Sequence, residues 1–557
     1  MSYIGIPSFD YQVLNFDIIL KQDKNRQDND IYVSQSLHHY LSNIKEQINK
    51  YNEYWDNYKK ITNPYEYIHS HVSEYNISIC KYKPLSRSFF KMIEIIDVFG
   101  LLNEKHKINS FHLAEGPGGF IEAFCHKRLK SDKYKYEKID KKPYVFDEFQ
   151  YVDKAEKVEK VDKVEKNDKY VGMTLISDNN NIPSWKNSQY FINNNKQVTT
   201  EVGASKTGNL FLKENLLFCY EKYGSHMEYI TGDGGFDFSV DFNKQEELST
   251  KLVVAQILFA LVLQKKEGVF ILKIFDIFKF LSIELFFLLS ICYENVFIYK
   301  PYTSRIANSE KYIICKKYKP NTAFIRQILD NYDHIINNIN NIYTLLNKPI
   351  PKLFIKKIEE INAIYGQQQI ENINYTLNLI REYINIKNGN SIKLELEHKI
   401  KKEINTDEND VIENEEEENE EDENEEEENE EEENAVMKIS ELNKSDSLNI
   451  LFDYSSDEEL KNKIDNPPLI LSSSNLLNPC VYKPSESNFK IYINISKESK
   501  ESNTGSSNGP DVGIKIFTEK MNINRFFNKL NTLKSINIQK SITWCSKHQM
   551  PVNKHFL

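Results

Sequence analysis

Phe111-His112-Leu113-Ala114-Glu115-Gly116-Pro117-Gly118-Gly119-Phe120-Ile121-Glu122-Ala123-Phe124 decides how this chain folds. An apolar run of strand character enters a glycine-rich turn and continues as an amphipathic helix. Glycines there let the backbone come close to a ligand, and the first helical turn offers unpaired N–H groups. The pattern predicts a ligand at the carboxyl end of the first strand of an α/β sheet. It is not a dinucleotide fingerprint, because G-x-G-x-x-G requires a third glycine where Ile121 stands. A plain strand–turn–helix has the same spacing, so the neighbouring motifs must decide.

From Lys81 to about Lys319 short apolar strands alternate with longer amphipathic stretches, the texture of a parallel α/β sheet. A second strand is expected over Val171–Leu175, leading to Asp178. A third is expected around Gln197–Val202, just before Thr207-Gly208-Asn209. Tyr229-Ile230-Thr231-Gly232-Asp233-Gly234-Gly235 repeats the strand-to-glycine turn and presents Asp233. Val269-Phe270-Ile271-Leu272-Lys273-Ile274 sets one lysine in an apolar strand. A buried ammonium needs a carboxylate partner or a lowered proton affinity, and both suit a catalytic base; a lysine snorkelling from a strand end reads the same way. Ser86-Arg87-Ser88-Phe89-Phe90-Lys91 begins a helix ahead of the first strand, and Glu310 in Ser309-Glu310-Lys311 opens a late strand. Taken singly, Lys91 and Glu310 are ordinary solvated charges. Glu115, immediately before the glycines, opposes phosphate and suits a cationic ligand such as S-adenosyl-L-methionine.

Together and in this order, the four motifs resemble the FtsJ-like (RrmJ-type) RNA ribose 2′-O-methyltransferases, more narrowly the Adrift-type cap-specific mRNA enzymes of eukaryotes and large DNA viruses. The resemblance covers roughly residues 81–320, and Asn63-Pro64-Tyr65-Glu66-Tyr67-Ile68 fits the region upstream. It implies a Rossmann-like class I methyltransferase sheet with helices on both faces. It also implies a catalytic tetrad of Lys91, Asp233, Lys273 and Glu310. S-adenosyl-L-methionine is then expected on Glu115, Gly116, Pro117, Gly118, Gly119 and Phe120, with Asp178 and Asn209 near its adenosine and Asp233 shared with the tetrad. The implied substrate is the 2′-hydroxyl of the first or second transcribed nucleotide of capped mRNA, with no metal needed. Ribosomal or transfer RNA is the alternative target. A catalytically silent cap- or RNA-binding module would carry a broken tetrad, and a nicotinamide enzyme would carry the third glycine.

Around this block the composition changes. Residues 1–80 are polar and Asn/Tyr-rich, with helical spacing in Leu37, Tyr40, Leu41, Ile44 and Ile48, and are expected to form an N-terminal helical region. Within the 81–320 domain, a charged low-complexity insert over about 130–169 contains six acid-Lys triplets from Val152 to Lys169; a period of three cannot hold one apolar helix face. A helical extension is expected over 321–402, a disordered acidic and Ser-rich segment over 403–515, and a helical segment over 516–557 that docks back through Phe526, Phe527, Leu530, Ile542 and Trp544. The 557 residues carry a formal charge of −11, but 20 acidic residues and no Lys or Arg lie between Asp407 and Glu433. Without them 62 acidic face 71 basic residues, a body of +9 that is compatible with a polyanionic partner. Seven scattered cysteines with no C-x-x-C pair suggest a reducing interior, so a nuclear or cytoplasmic setting is expected, a viral factory included. Cys545 and His548 have the spacing of half a zinc site but lack a second pair, which favours a helical free thiol. Leu252–Cys292 is too often broken by charge for a membrane segment and is expected to be core.

Overall fold

Sequence alternation becomes a mixed sheet that grows to both sides of the strand that enters the first glycine turn. The structure, a computed structural model, describes residues 3–10, 14–20, 31–102, 106–129, 168–177, 182–235, 242–406 and 511–557. Ten strands are present among them: β1 (Ile4–Ile6), β2 (Phe16–Leu20), β3 (Asn109–Leu113), β4 (Lys169–Met173), β5 (Val198–Glu201), β6 (Met227–Gly232), β7 (Gln264–Ile274), β8 (Tyr293–Tyr299), β9 (Lys311–Tyr318) and β10 (Ile342–Leu346). Eight of them run in the order β1-β8-β9-β7-β6-β3-β4-β5, and β2 pairs with β10 in a separate ribbon. β5, β4, β3, β6 and β7 are parallel; β9 is antiparallel to β7 and to β8. The chain steps outward through β4 and β5, then returns to lay β6 on the other side of β3. The carboxyl ends of β3 and β6 therefore flank the topological switch point, where open α/β sheets bind ligands.

Both faces are covered, as expected. On one face α6 (Lys213–Tyr223), α7 (Gln245–Leu263), α8 (Phe280–Cys292) and α9 (Thr322–Asn338) pack on Phe111, Leu113, Phe270, Leu272 and Ile313. On the other, α3 (Ser88–Phe99), α4 (Gly119–Leu129) and a C-terminal helix, α11 (Asp511–Lys547), pack on Val269, Ile271, Tyr312 and Ile314. Side chains alternate between the faces along a strand, so Lys273 falls on the α3 side with Ile271. α7 and α8, with β7 between them, form the apolar core expected of Leu252–Cys292, and no described helix is long and apolar enough to cross a membrane.

Several expectations need correction. The first eighty residues contain the helices α1 (Gln35–Ile48) and α2 (Asn52–Ile61), but also β1, which closes the sheet edge against β8, and β2. The 321–402 extension likewise includes β10 ahead of a long helix, α10 (Lys352–Thr406). These short strands show no clear alternation of their own, and pairing partners distant in sequence define them. β4 starts two residues before the predicted second strand, because Asp168 is structural: it accepts from Arg128 Nε and Nη2, each at 2.8 Å, from Tyr170 OH at 2.9 Å and from Ile108 N at 3.0 Å. The remaining triplets, the acidic tract and the Ser-rich stretches lie outside the described residues. Residues Met1–Asn388 and Asn508–Leu557 form one compact unit, and Gly389–Ser507 belong to a second. Within the first unit, Trp544 of α11 lies in the buried cluster that includes Phe90 and Ile314.

His112, in the middle of the sheet, is fully buried between Ser110 Oγ and Thr231 Oγ1, both at 2.8 Å. Burial holds its imidazole neutral, down to about 3 from an ordinary 6.5. Below pH 6.5 the unfolded chain takes up a proton that the folded chain refuses, so stability falls as pH drops toward 3. Urea unfolding at pH 7 and pH 5 should show a loss of ~2 kcal/mol that His112→Gln does not show.

Candidate active site

Lys91 lies one turn into α3, the helix that packs on the sheet face carrying Val269 and Ile271 of β7 and Tyr312 and Ile314 of β9. Glu310 directly precedes β9, and its carboxylate meets Lys91 Nζ at 2.7 Å through Oε1 and 2.9 Å through Oε2. Asp233 follows β6 and Lys273 stands near the end of the neighbouring β7. Lys273 Nζ donates to the Asp233 carbonyl at 2.6 Å and lies 3.3 Å from Asp233 Oδ1. The apolar strand thus does not leave Lys273 isolated; the adjacent strand supplies its carboxylate.

The two ion pairs are joined by Tyr312, whose hydroxyl is 3.1 Å from Asp233 Oδ1 and 3.4 Å from Glu310 Oε1. Burial pushes this phenol far above its ordinary value, so it keeps its one proton and donates to either carboxylate in turn. Ser304 Oγ donates to Glu310 at 3.2 Å, and Lys300 Nζ donates to the Glu310 carbonyl at 2.9 Å. Burial favours the neutral form of Glu310, yet Lys91, then Lys273 and Lys300, overcome it and hold the carboxyl at about 2. The four side chains are only 11–14% exposed and meet where β6 and β7 end and β9 begins. Gly235 leaves the approach to Lys273 open, since a Cβ there would stand 3.1 Å from Nζ.

The glycine turn adjoins this cluster: a Cβ at Gly234 would meet Ala114 Cβ at 2.9 Å. Its predicted ligand contacts divide by residue. Glu115 Oε1 accepts from the N–H groups of Phe120 at 2.8 Å and Ile121 at 3.0 Å, capping α4. Among the described residues, no donor reaches the buried Glu115 Oε2. Burial raises this carboxyl well above its ordinary value, and an approaching cation would restore the ionised form. Gly116 and Gly119 are required by the chain itself, since a Cβ would strike Ser184 O at 2.5 Å or Ser86 Oγ and Ser88 Oγ at 2.2 Å. Gly118 adopts φ +113°, which a side chain would strain. Pro117 O accepts from Ser188 Oγ. The Phe120 ring is wholly buried near Tyr312, so that side chain belongs to the core. Asn209 stands beyond β5, where Oδ1 accepts from Phe211 N at 2.9 Å. Asp178 lies outside the described residues.

A second charged cluster, missed in the sequence, borders the first. Glu66, with no exposed surface, accepts from Arg305 Nε at 3.0 Å and Nη2 at 2.6 Å, from Asn63 Nδ2 at 2.7 Å and from Ser70 Oγ at 2.9 Å. Arg87 approaches it at 3.7 Å and remains 37% exposed; among the described residues no acceptor takes a hydrogen bond from its guanidinium. Tyr312 could have been found, because two residues past Glu310 on a strand means the same face. The arginines carried no signal beyond their closeness to the motifs.

Known proteins resemble this chain over the stretch that holds Lys91, Asp233, Lys273 and Glu310. Residues 84–318 match the FtsJ-like methyltransferase family. The chain is 28% identical over 364 residues to the Danio rerio protein named cap-specific mRNA (nucleoside-2′-O-)-methyltransferase 2, covering 62% of this chain and 43% of that one. It is 37% identical over 142 residues to the Mus musculus cap-specific mRNA (nucleoside-2′-O-)-methyltransferase 1, covering 26% and 17%. A Caenorhabditis briggsae relative named cap-specific mRNA (nucleoside-2′-O-)-methyltransferase 1A is 31% identical over 186 residues, covering 30% and 21%. The chain therefore spans less than half the length of each of these relatives. The switch point, the Lys–carboxylate pairs and the glycine turn all fall within residues 84–318, the stretch that matches the FtsJ-like methyltransferase family.

Proposed function

We propose that this protein methylates a ribose 2′-hydroxyl in RNA, with S-adenosyl-L-methionine as donor and the first or second transcribed nucleotide of capped mRNA as target. The observation that carries the reading is the meeting of Lys91, Asp233, Lys273 and Glu310 at one site beside the glycine turn. The donor fits the unspent buried oxygen of Glu115, which suits a cationic group, and supplies an electrophilic methyl on a sulfonium sulfur. The residues present need no metal ligand set for this chemistry.

The chain's own groups then act on the hydroxyl. In its amine form Lys273 has two N–H bonds, which match its two acceptors, the Asp233 carbonyl and Oδ1. Its lone pair is left for the substrate. The 2′-oxygen forms its bond to the methyl as the methyl–sulfur bond breaks, the proton passes to Lys273 Nζ, and the sulfur leaves as a neutral thioether. Glu310 and Asp233 stabilise the resulting ammonium, and Lys91 fixes Glu310. In-line positioning supplies much of the rate.

Charge supports an RNA substrate. The cluster of Glu66, Arg305 and Arg87 beside the site carries one cation in excess, and Arg87 holds it at the surface with donors unspent. Names of the relatives favour the cap over ribosomal or transfer RNA. Methyl transfer from labelled donor should be at least ~10-fold faster to capped than to uncapped RNA of the same sequence; equal rates would remove the cap, and no transfer to either would remove the activity. Arg87→Ala should raise KM for RNA about tenfold with kcat retained, and lower the salt slope of RNA binding by about 1.

A further inference from the structure

Glu94 sits one turn beyond Lys91 on α3 and is completely buried. Its carboxylate gathers donors from three parts of the chain. Oε1 accepts from Tyr299 OH at 2.6 Å and from Tyr302 N at 2.7 Å. Oε2 accepts from Thr303 N at 3.3 Å, Thr303 Oγ1 at 3.2 Å and Trp544 Nε1 at 3.0 Å. Burying a carboxylate is costly unless donors surround it, and five donors meet that condition. Among the described residues no ammonium or guanidinium stands against this carboxylate, so its worth is geometric: it holds several segments in one arrangement.

Those segments are the ones that aim the tetrad. Tyr302 and Thr303 begin the loop leading to Glu310, and the next residue, Ser304, donates to Glu310 Oε1. Glu94 shares its helix with Lys91, the partner of Glu310. The fifth donor comes from α11, which lies outside residues 84–318 and is 450 positions from Glu94. A second tie fixes the same helix pair, His548 Nδ1 to Asp97 Oδ2 at 2.7 Å. The Trp544 ring also meets Phe90 edge-on, with centroids 5.9 Å apart, next to Lys91.

We infer that Trp544 is a positioning residue for the reaction: through Glu94 the C-terminal helix holds the 302–310 loop and α3 so that Glu310 and Lys91 meet. The link to catalysis rests on the methyltransferase reading, whereas the link to the loop does not. Trp544 touches no substrate; it acts through Glu94 on the loop.

The test uses the full chain carrying Trp544→Phe, which keeps an aromatic ring and removes the N–H. Hydrogen–deuterium exchange should be about tenfold faster at the Tyr302 and Thr303 amides, with β3 and β6 peptides unchanged. Methyl transfer to capped RNA should lose about tenfold in kcat, with cofactor affinity and KM for RNA retained, a split that general loosening would not give. Unchanged exchange at those two amides overturns the inference, and so does faster exchange with an unchanged kcat. Should Trp544→Phe fail to fold, Thr303→Val removes a donor from the opposite side of the same carboxylate and is held to the same two readouts. An inactive wild-type chain would sink the methyltransferase reading alone, because exchange still reports whether Trp544 holds the loop.

Discussion

Lys273→Ala abolishes methyl transfer, with an expected fall in kcat of ~10³-fold or more, while cofactor binding and the thermal midpoint stay near wild type. The size follows from what the side chain is asked to do. General base catalysis contributes about 10²–10⁴ on its own, and Lys273 also orients the hydroxyl. The structural cost is small, because the principal acceptors of Nζ, both on Asp233, become accessible to water. Lys273→Arg should not rescue: a guanidinium keeps its proton at any working pH and its planar fork does not match the two acceptors. Single-turnover transfer with saturating donor reads the chemical step directly. Activity within tenfold of wild type would remove Lys273 as the proton acceptor and leave the fold assignment untouched.

Glu66→Leu unfolds the region around the site, with a loss of ~3 kcal/mol or more in urea unfolding, the scale of breaking a buried ion pair by removing one partner. Arg305, Asn63 and Ser70 all lose their acceptor, and Arg87 and Arg305 are left facing each other without the intervening charge. Glu66→Gln keeps an oxygen for Asn63 or Arg305 and should cost less. Acid titration adds a signature. Burial alone would raise the Glu66 carboxyl, but the Arg305 hydrogen bonds and the Arg87 charge hold it far below its ordinary 4.5. Its contribution is therefore complete above pH 4.5 and disappears as pH falls below that value. Stability of the wild type should drop through this window more steeply than that of Glu66→Leu. Parallel curves would show that the cluster contributes no ion-pair energy.

Much of the sheet was legible because its strands are apolar runs, of which β3 and β6 enter glycine turns, and because Asp233 and Lys273 stand at the carboxyl ends of β6 and β7. The tetrad was legible as an ordered set: Lys91, Asp233, Lys273 and Glu310 do meet, although none is distinctive alone. Its assignment as catalytic is the reading that Lys273→Ala tests. β1, β2 and β10 were not legible, since three to five residues without alternation acquire strand character only from a partner far along the chain. Asp168 was hidden in a run of acid-Lys triplets that it resembles in composition but not in role. Glu66, Glu94 and Trp544 escaped for a related reason. A buried carboxylate is recognised by the donors that converge on it, and these come from segments up to 450 residues away.

The Arg128–Asp168 clip has a consequence for how this lineage can change. It pins the end of α4 beside the start of β4, two points 40 positions apart in the sequence. With the ends fixed, the entropy of closing a connecting segment grows only with the logarithm of its length, about 0.6 kcal/mol per doubling. Triplets can therefore be duplicated or lost by replication slippage at almost no thermodynamic penalty to the enzyme core. Close relatives should differ in the length and composition of residues 130–167 before they differ in the sheet.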